Sequence, residues 1–200
     1  DSTILGNVTG TAATYGDAAV MIIGRTSGEN VDTDFAAEEC IENNYLDLSK
    51  EEKDIIERLQ TLKNAGSIKR IILLINSANA MQFKNIATLK GIDACVWVGM
   101  GGSAYAGQIA DILSGAVNPS GRLTDTYVYD NNSAPSTENF GDYTFTSSSG
   151  LPAKEYYSHN DKYVVYGEGI YVGYRYYETR YEDCVLNQGN ANGKKGVKAG

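Results

Sequence analysis

The stretch RIILLIN, from Arg70 to Asn76, decides the fold class. It is a short and continuous apolar run, which is typical of a strand that is buried on both faces of a parallel sheet. Two other runs share this character: AAVMIIG, from Ala18 to Gly24, and ACVWVG, from Ala94 to Gly99. The three runs therefore predict three central strands of one sheet.

Helical signals lie between and after these strands. The clearest begins at Ser49, which has the spacing of a capping box with Glu52, and it ends at Gly66. Its apolar residues recur at helical spacing: Ile55, Ile56, Leu59 and Leu62. A shorter helix is predicted over Met81 to Leu89, and another ends near Gly115. The alternation of strands and helices predicts a doubly wound α/β domain with right-handed crossovers.

Composition excludes several classes of function. The net charge of −8 argues against a nucleic-acid partner, because phosphate binding depends on Lys and Arg. No apolar run is long enough to span a membrane. A single histidine and three widely spaced cysteines do not suit a metal centre, a disulfide framework or Cys–His catalysis. Carboxylates are the chemistry that remains, and the cellular compartment stays open.

The second half of the chain has a different character. Residues Asn131 to Asn160 are rich in Ser, Asn, Thr and Gly, which predicts a long irregular excursion. The tyrosine-dense stretch from Tyr163 to Tyr177 has the composition of a strand. Residues 181–200 predict a flexible polar tail, so a single domain is expected over residues 1–180.

Four blocks of sequence resemble, in order, the second domain of family 3 glycoside hydrolases. They are IGRTSGENVD from Ile23 to Asp32, LLINSANAMQF from Leu73 to Phe83, VWVGMGGSAYAGQIADILSGAVNPSGRL from Val96 to Leu123, and YGEGIYVGYRYYET from Tyr166 to Thr179. The end of the third block, NPSGRL, is the most specific match. Together the blocks cover most of the chain.

The resemblance implies a six-stranded, mostly parallel α/β sandwich with helices on both faces and an irregular Tyr-rich C-terminal segment. It also implies a retaining β-glycosidase of the β-glucosidase type, which hydrolyses terminal, non-reducing β-linked sugars without a metal or organic cofactor. Its substrates would be oligo- or aryl β-glycosides. The expected partner is a barrel domain of the same enzyme, absent from this chain, that carries the nucleophilic Asp. The chain alone is therefore expected to be inactive.

The resemblance assigns the acid/base role to Glu29. It assigns Arg25 and Asp32 to substrate binding or to positioning of the loop. The place of Glu29 is physically sensible, because ligand sites in open α/β sheets lie beyond the carboxyl ends of strands. Asp32, Asp34 and Glu38 are rival carboxylates for the acid/base role in the same acidic stretch.

Two other functions stay open at this level. The domain could be a non-catalytic scaffold or a sugar-binding module of a multidomain protein. It could also be a flavodoxin-like nucleotide-binding domain, with phosphate held at the turn from Gly99 to Gly102, although this turn lacks the dinucleotide fingerprint. Glu168 and the tyrosines near it are expected to have structural or inter-domain roles. The identity of the sugar, the linkage preference and the oligomeric state are not predicted.

Overall fold

A computed structural model describes residues 2–28, 40–41, 44–138, 143–144, 162–163 and 165–186. The chain divides into two compact units, Asp1–Tyr129 and Asp130–Gly200. Among the described residues, no helix is both long enough and apolar enough to cross a membrane.

The first unit is built on a parallel sheet. Its elements are helix α1 (Ser2–Ala12), strand β1 (Ala19–Gly24), helix α2 (Lys50–Asn64), strand β2 (Ile71–Asn76), helix α3 (Lys84–Thr88), strand β3 (Ala94–Trp97) and helix α4 (Tyr105–Ser114). The strand order is β1-β2-β3, and both pairings are parallel. All three predicted strands are therefore confirmed, as is the α/β class. The described residues give this sheet three strands, not the six that were expected.

One face of the sheet carries the hydrophobic core. Ile23, Leu73 and Ile75 lie on that face and are buried together with side chains of α2. The residues that α2 contributes are Ile56, Leu59 and Leu62. Each fully buried aliphatic side chain contributes about 1.5–3 kcal/mol to folding, so this contact dominates the stability of the unit.

Burial on both faces is confirmed only for β2, none of whose residues is exposed. Val20 and Ile22 of β1 are 45% and 63% exposed, and Ala94 and Cys95 of β3 are exposed as well. The difference arises because β1 and β3 are the edges of the described sheet. In addition, α4 has no buried side chain, so the prediction of helices covering both faces is not met within the described residues.

Helix α2 begins and ends as the sequence predicts. The Ser49 hydroxyl accepts a hydrogen bond from Glu52 N, and Ser49 N donates to the Glu52 carboxylate, which completes the capping box. At the other end, Gly66 adopts φ 76°, a left-handed conformation that glycine adopts without strain. Gly66 N and Ser67 N donate to the carbonyls of Lys63 and Leu62, so the helix ends in a Schellman motif.

The second unit has short elements. They are a 3₁₀ turn (Asn131–Ser133), helix α5 (Pro135–Glu138), strands β4 (Tyr143–Thr144) and β5 (Lys162–Tyr163), helix α6 (Tyr174–Tyr181) and a π-helical turn (Glu182–Leu186). Strands β4 and β5 pair antiparallel. Residues 187–200, most of the predicted tail, lie outside the described residues.

The strand-like interpretation of Tyr163 to Tyr177 is wrong at its C-terminal end, where Tyr174 begins α6. Tyr176 N and Tyr177 N donate to the carbonyl of Gly173, and Gly173 itself has φ 58°. Strand propensity reflects packing against neighbouring strands more than an intrinsic backbone preference. The described residues provide no strand that pairs with this segment, so the helix forms instead.

Candidate functional site

Only one of the predicted site residues is among the residues that the structure describes. Glu29 and Asp32 lie outside the described residues, and so do the rival carboxylates Asp34 and Glu38. Arg25 is described, and it directly follows β1. The structure thus defines the base of the segment that carries the candidate acid, at the carboxyl end of β1.

Arg25 is a buried arginine that joins three parts of the chain. Its backbone N donates to Asn76 O at 3.2 Å and so extends the pairing of β1 with β2. Its guanidinium is almost wholly inaccessible to solvent. Nε donates to Tyr45 O at 2.7 Å, Nη1 donates to Gly24 O at 2.7 Å, and Nη2 donates to Asp47 O at 2.5 Å. These bonds fix the end of β1 against residues 45–47.

The same guanidinium forms a two-pronged ion pair with Glu52 of α2. The two nitrogen–oxygen distances are 2.9 Å from Nη1 to Oε1 and 2.7 Å from Nη2 to Oε2. Burial alone would lower the pKa of Arg25, but the hydrogen bonds and charge of Glu52 outweigh it, so the pKa is raised. Arg25 is therefore permanently charged, and its donors are occupied by the protein itself.

The phenol of Tyr45 contacts Thr26, the residue that follows Arg25. Thr26 N donates to the Tyr45 phenol oxygen at 3.0 Å. The phenol lies 3.2 Å from Thr26 O, to which it donates, and 3.1 Å from Thr26 Oγ1. The Arg25 guanidinium lies over the Tyr45 ring, 5.6 Å from its centroid. Residues 25–26 and residue 45 are thereby held together although the segment between them is long.

Asp47 is the centre of a second buried polar cluster. Its carboxylate accepts hydrogen bonds from Leu48 N at 2.7 Å, from Gln82 Nε2 at 3.0 Å and from Asn85 Nδ2 at 2.5 Å. Gln82 Oε1 also accepts from Asn44 Nδ2 at 3.1 Å. This cluster ties the segment before α2 to the segment that follows β2.

The turn from Gly99 to Gly102 has a packing explanation for two of its glycines. A Cβ on Gly99 would press against the Trp97 indole, and a Cβ on Gly101 would overlap the Tyr105 ring. Gly99 also has φ 59°, which favours glycine. The glycines thus accommodate aromatic rings, and α4 begins after Ala104 without a side-chain cap.

The comparisons with known proteins identify the family. Residues 6–174 match the model of the glycosyl hydrolase family 3 C-terminal domain. The chain belongs to glycoside hydrolase family 3. The resemblance drawn from the four sequence blocks is therefore confirmed.

Several curated relatives of this family 3 domain are glycosidases. The chain is 32% identical over 174 residues to a β-glucosidase of Ruminococcus albus, covering 87% of this chain and 15% of the relative. It is 29% identical over 185 residues to β-glucosidase A of Butyrivibrio fibrisolvens, covering 84% and 20%. It is 27% identical over 157 residues to an exo-α-(1→6)-L-arabinopyranosidase of Bifidobacterium breve, covering 77% and 17%. The chain thus spans at most about a fifth of the length of these relatives.

Sequence reasoning singled out only one of the described residues that form contacts at the carboxyl end of β1. It selected Arg25 for substrate binding or for positioning of the loop, and the structure places the Arg25 side chain against residues 45–52. It did not single out Tyr45, Asp47 or Gln82. The available signal was their place beside the capping box of α2 and after the buried strand β2, where polar side chains must find partners.

Among the described residues, no group of His, Cys, Asp and Glu could hold a metal ion.

Proposed function

We propose that this family 3 domain is part of a retaining β-glycosidase of the β-glucosidase type and that Glu29 supplies the acid/base carboxyl. The observation that carries the proposal is the clamp at the end of β1. Arg25 and Tyr45 fix the residues at the carboxyl end of β1, from which the segment with Glu29 continues. Ligands of open α/β domains bind beyond the carboxyl ends of the strands. The names of the relatives, two of them β-glucosidases, support the same class of reaction.

The proposed chemistry requires two carboxyl groups about 5–5.5 Å apart. The nucleophilic Asp belongs to the barrel domain of the same enzyme and attacks the anomeric carbon. Glu29 protonates the departing glycosidic oxygen, and the bond from that oxygen to the anomeric carbon breaks. Glu29 then takes a proton from the water that hydrolyses the glycosyl–enzyme ester, so the configuration is retained.

The roles of Arg25 and Asp32 follow from this arrangement. Because Arg25 is buried and its guanidinium is committed to Glu52 and to three backbone carbonyls, it positions the loop and does not contact substrate. Asp32 is proposed to position the same loop. No metal or organic cofactor takes part in the proposed reaction.

We also propose that residues 1–180 form one α/β sandwich domain with six mostly parallel strands and helices on both faces. Two observations support this extent. The family match extends from residue 6 to residue 174. The apolar side chains of Val20 and Ile22 are exposed on a sheet face that further elements would cover. An experimental structure in which the sheet of β1, β2 and β3 gains no further strand would contradict the proposal.

The test of the function is a screen of nitrophenyl glycosides on the complete enzyme. We expect hydrolysis of aryl β-glycosides, with the β-anomer as the first product seen by proton NMR before mutarotation. The isolated 200-residue chain should show no turnover, because the nucleophilic Asp of the proposed reaction belongs to the barrel domain. An inverted first product, or robust turnover by the isolated chain, would contradict the proposal. A complete enzyme that is unaffected by Glu29→Ala would favour a scaffold role for this domain.

A further inference from the structure

The hydroxyl of Tyr45 binds to the backbone and side chain of a single residue, Thr26. It touches the backbone N–H and carbonyl of Thr26 and also its side-chain oxygen, at 3.0, 3.2 and 3.1 Å. A phenol can donate one hydrogen bond and accept others, so it satisfies both backbone groups of Thr26. These groups lie immediately beyond the last residues that pair in the sheet, and no strand of the described part of the chain pairs with Thr26.

We propose that Tyr45 is a positioning residue for the acid/base of the glycosidase, acting through Thr26. The inference rests on the proposed function of Glu29. Glu29 follows Thr26 by three residues, a length of chain that reaches at most about 10 Å. Fixing the backbone of Thr26 therefore confines the point from which the carboxyl group is presented to the substrate.

Arg25 and the Tyr45 hydroxyl make separate contacts at the end of β1. Arg25 holds the backbone of residue 45 through the 2.7 Å bond from Nε to Tyr45 O, and this bond does not involve the phenol. The stacking of the guanidinium on the Tyr45 ring also needs only the ring. Tyr45→Phe therefore leaves both contacts in place and removes only the connection to Thr26.

A misplaced acid has a recognisable kinetic signature. Protonation matters most for substrates whose leaving group is a strong base, and it matters little for dinitrophenolate. A residue that acts through the acid should therefore affect substrates according to the leaving group. A residue that only stabilises the fold should lower the activity on all substrates by the same factor, through the amount of folded enzyme.

The experiment measures kcat/KM of the complete enzyme with a series of aryl β-glycosides whose phenols span a range of pKa. For Tyr45→Phe we expect a loss of about tenfold on the poorest leaving groups, since the hydrogen bonds of the phenol to Thr26 are lost, and no loss on the dinitrophenyl substrate. Tyr15→Phe removes the hydroxyl of an exposed tyrosine in the same unit and should leave the whole series unchanged. Glu29→Ala is measured alongside.

The outcomes separate the two claims. If Glu29→Ala shows a steep dependence on the leaving group while Tyr45→Phe is unchanged or uniformly slowed, the role of Tyr45 is refuted and the proposed function stands. If Glu29→Ala shows no such dependence, the proposed function fails, and the inference fails with it. A leaving-group dependence in Tyr45→Phe that is shallower than in Glu29→Ala, but absent in Tyr15→Phe, supports the inference.

Discussion

Replacement of Arg25 by Met should destabilise the first unit strongly. The change keeps an unbranched side chain but removes the guanidinium. The Arg25 side chain is only 5% exposed, and the Glu52 side chain that it pairs with is 17% exposed. The carboxylate of Glu52 would lose its cation, and the carbonyls of Tyr45 and Asp47 would lose a donor. Removing one partner of a buried pair costs about 3–5 kcal/mol, so a loss of about 3 kcal/mol is expected, because Glu52 keeps the hydrogen bond from Ser49 N.

The assay is urea unfolding followed by the fluorescence of Trp97. This is the only tryptophan in the chain, and its indole N–H donates to Ser77 O beside the sheet. Arg122→Met is the matched control, because Arg122 is exposed and, among the described residues, donates only to the nearby carbonyls of Ser120 and Gly121. It should change the unfolding free energy by less than about 0.5 kcal/mol.

A double-mutant cycle isolates the ion pair itself. Glu52→Gln keeps an oxygen for the capping box but removes the charge. The variant with both changes should lose less than the sum of the single losses, by about 1–3 kcal/mol, because the two side chains are in contact. An Arg25→Met variant that loses under about 1 kcal/mol, or strict additivity in the cycle, would refute the reasoning.

Three further predictions concern the same unit. Asp47→Asn should cost about 1–3 kcal/mol in urea unfolding, because an amide cannot accept from all three donors that surround the carboxylate; an unchanged midpoint would contradict the role of the cluster. The hydrogen bond from Lys63 lowers the pKa of Asp93, so wild type should be more stable than Asp93→Asn above the unfolded pKa of about 3.9, and this advantage should vanish as pH falls through the lower folded pKa. An advantage over Asp93→Asn that does not change between pH 7 and the acid range would contradict it. Although the Cys95 side chain is partly accessible to solvent, the protein atoms around its thiol desolvate it and raise its pKa to about 11. At pH 8, iodoacetamide should therefore alkylate Cys95 about a hundredfold more slowly in the folded chain than in urea, as measured by mass spectrometry, and equal rates would contradict that shift.

The sheet could be predicted because its signal is local. A continuous apolar run such as RIILLIN has few alternatives to a buried strand, and the capping box of Ser49 with Glu52 specifies where α2 begins. The exposure of β1 and β3 could not be predicted from their composition, because it depends on what lies beside each strand. The helix at Tyr174 was missed for a similar reason, since tyrosines suit a strand only where a neighbouring strand exists.

Of the candidate site, the sequence indicated Arg25 only through its place in a block that resembles the family, for substrate binding or for positioning of the loop. Its burial and its partners, Glu52 and three backbone carbonyls, are seen only in the structure. The partners of Tyr45 and Asp47 lie far away in sequence, at Thr26 and at Gln82. Nothing in the local pattern of an irregular acidic stretch specifies such contacts, which only the tertiary fold creates.

The assignment of the acid/base to Glu29 is the central claim, and azide rescue tests it most directly. In the complete enzyme, Glu29→Ala should release dinitrophenolate from a dinitrophenyl β-glycoside in a burst and then slow down, because deglycosylation lacks its base. Added azide needs no base and should restore turnover, giving a glycosyl azide of retained configuration. Asp32→Ala should slow all substrates together and should not respond to azide. Rescue of Asp32→Ala without rescue of Glu29→Ala would show that the acid/base is a different carboxylate.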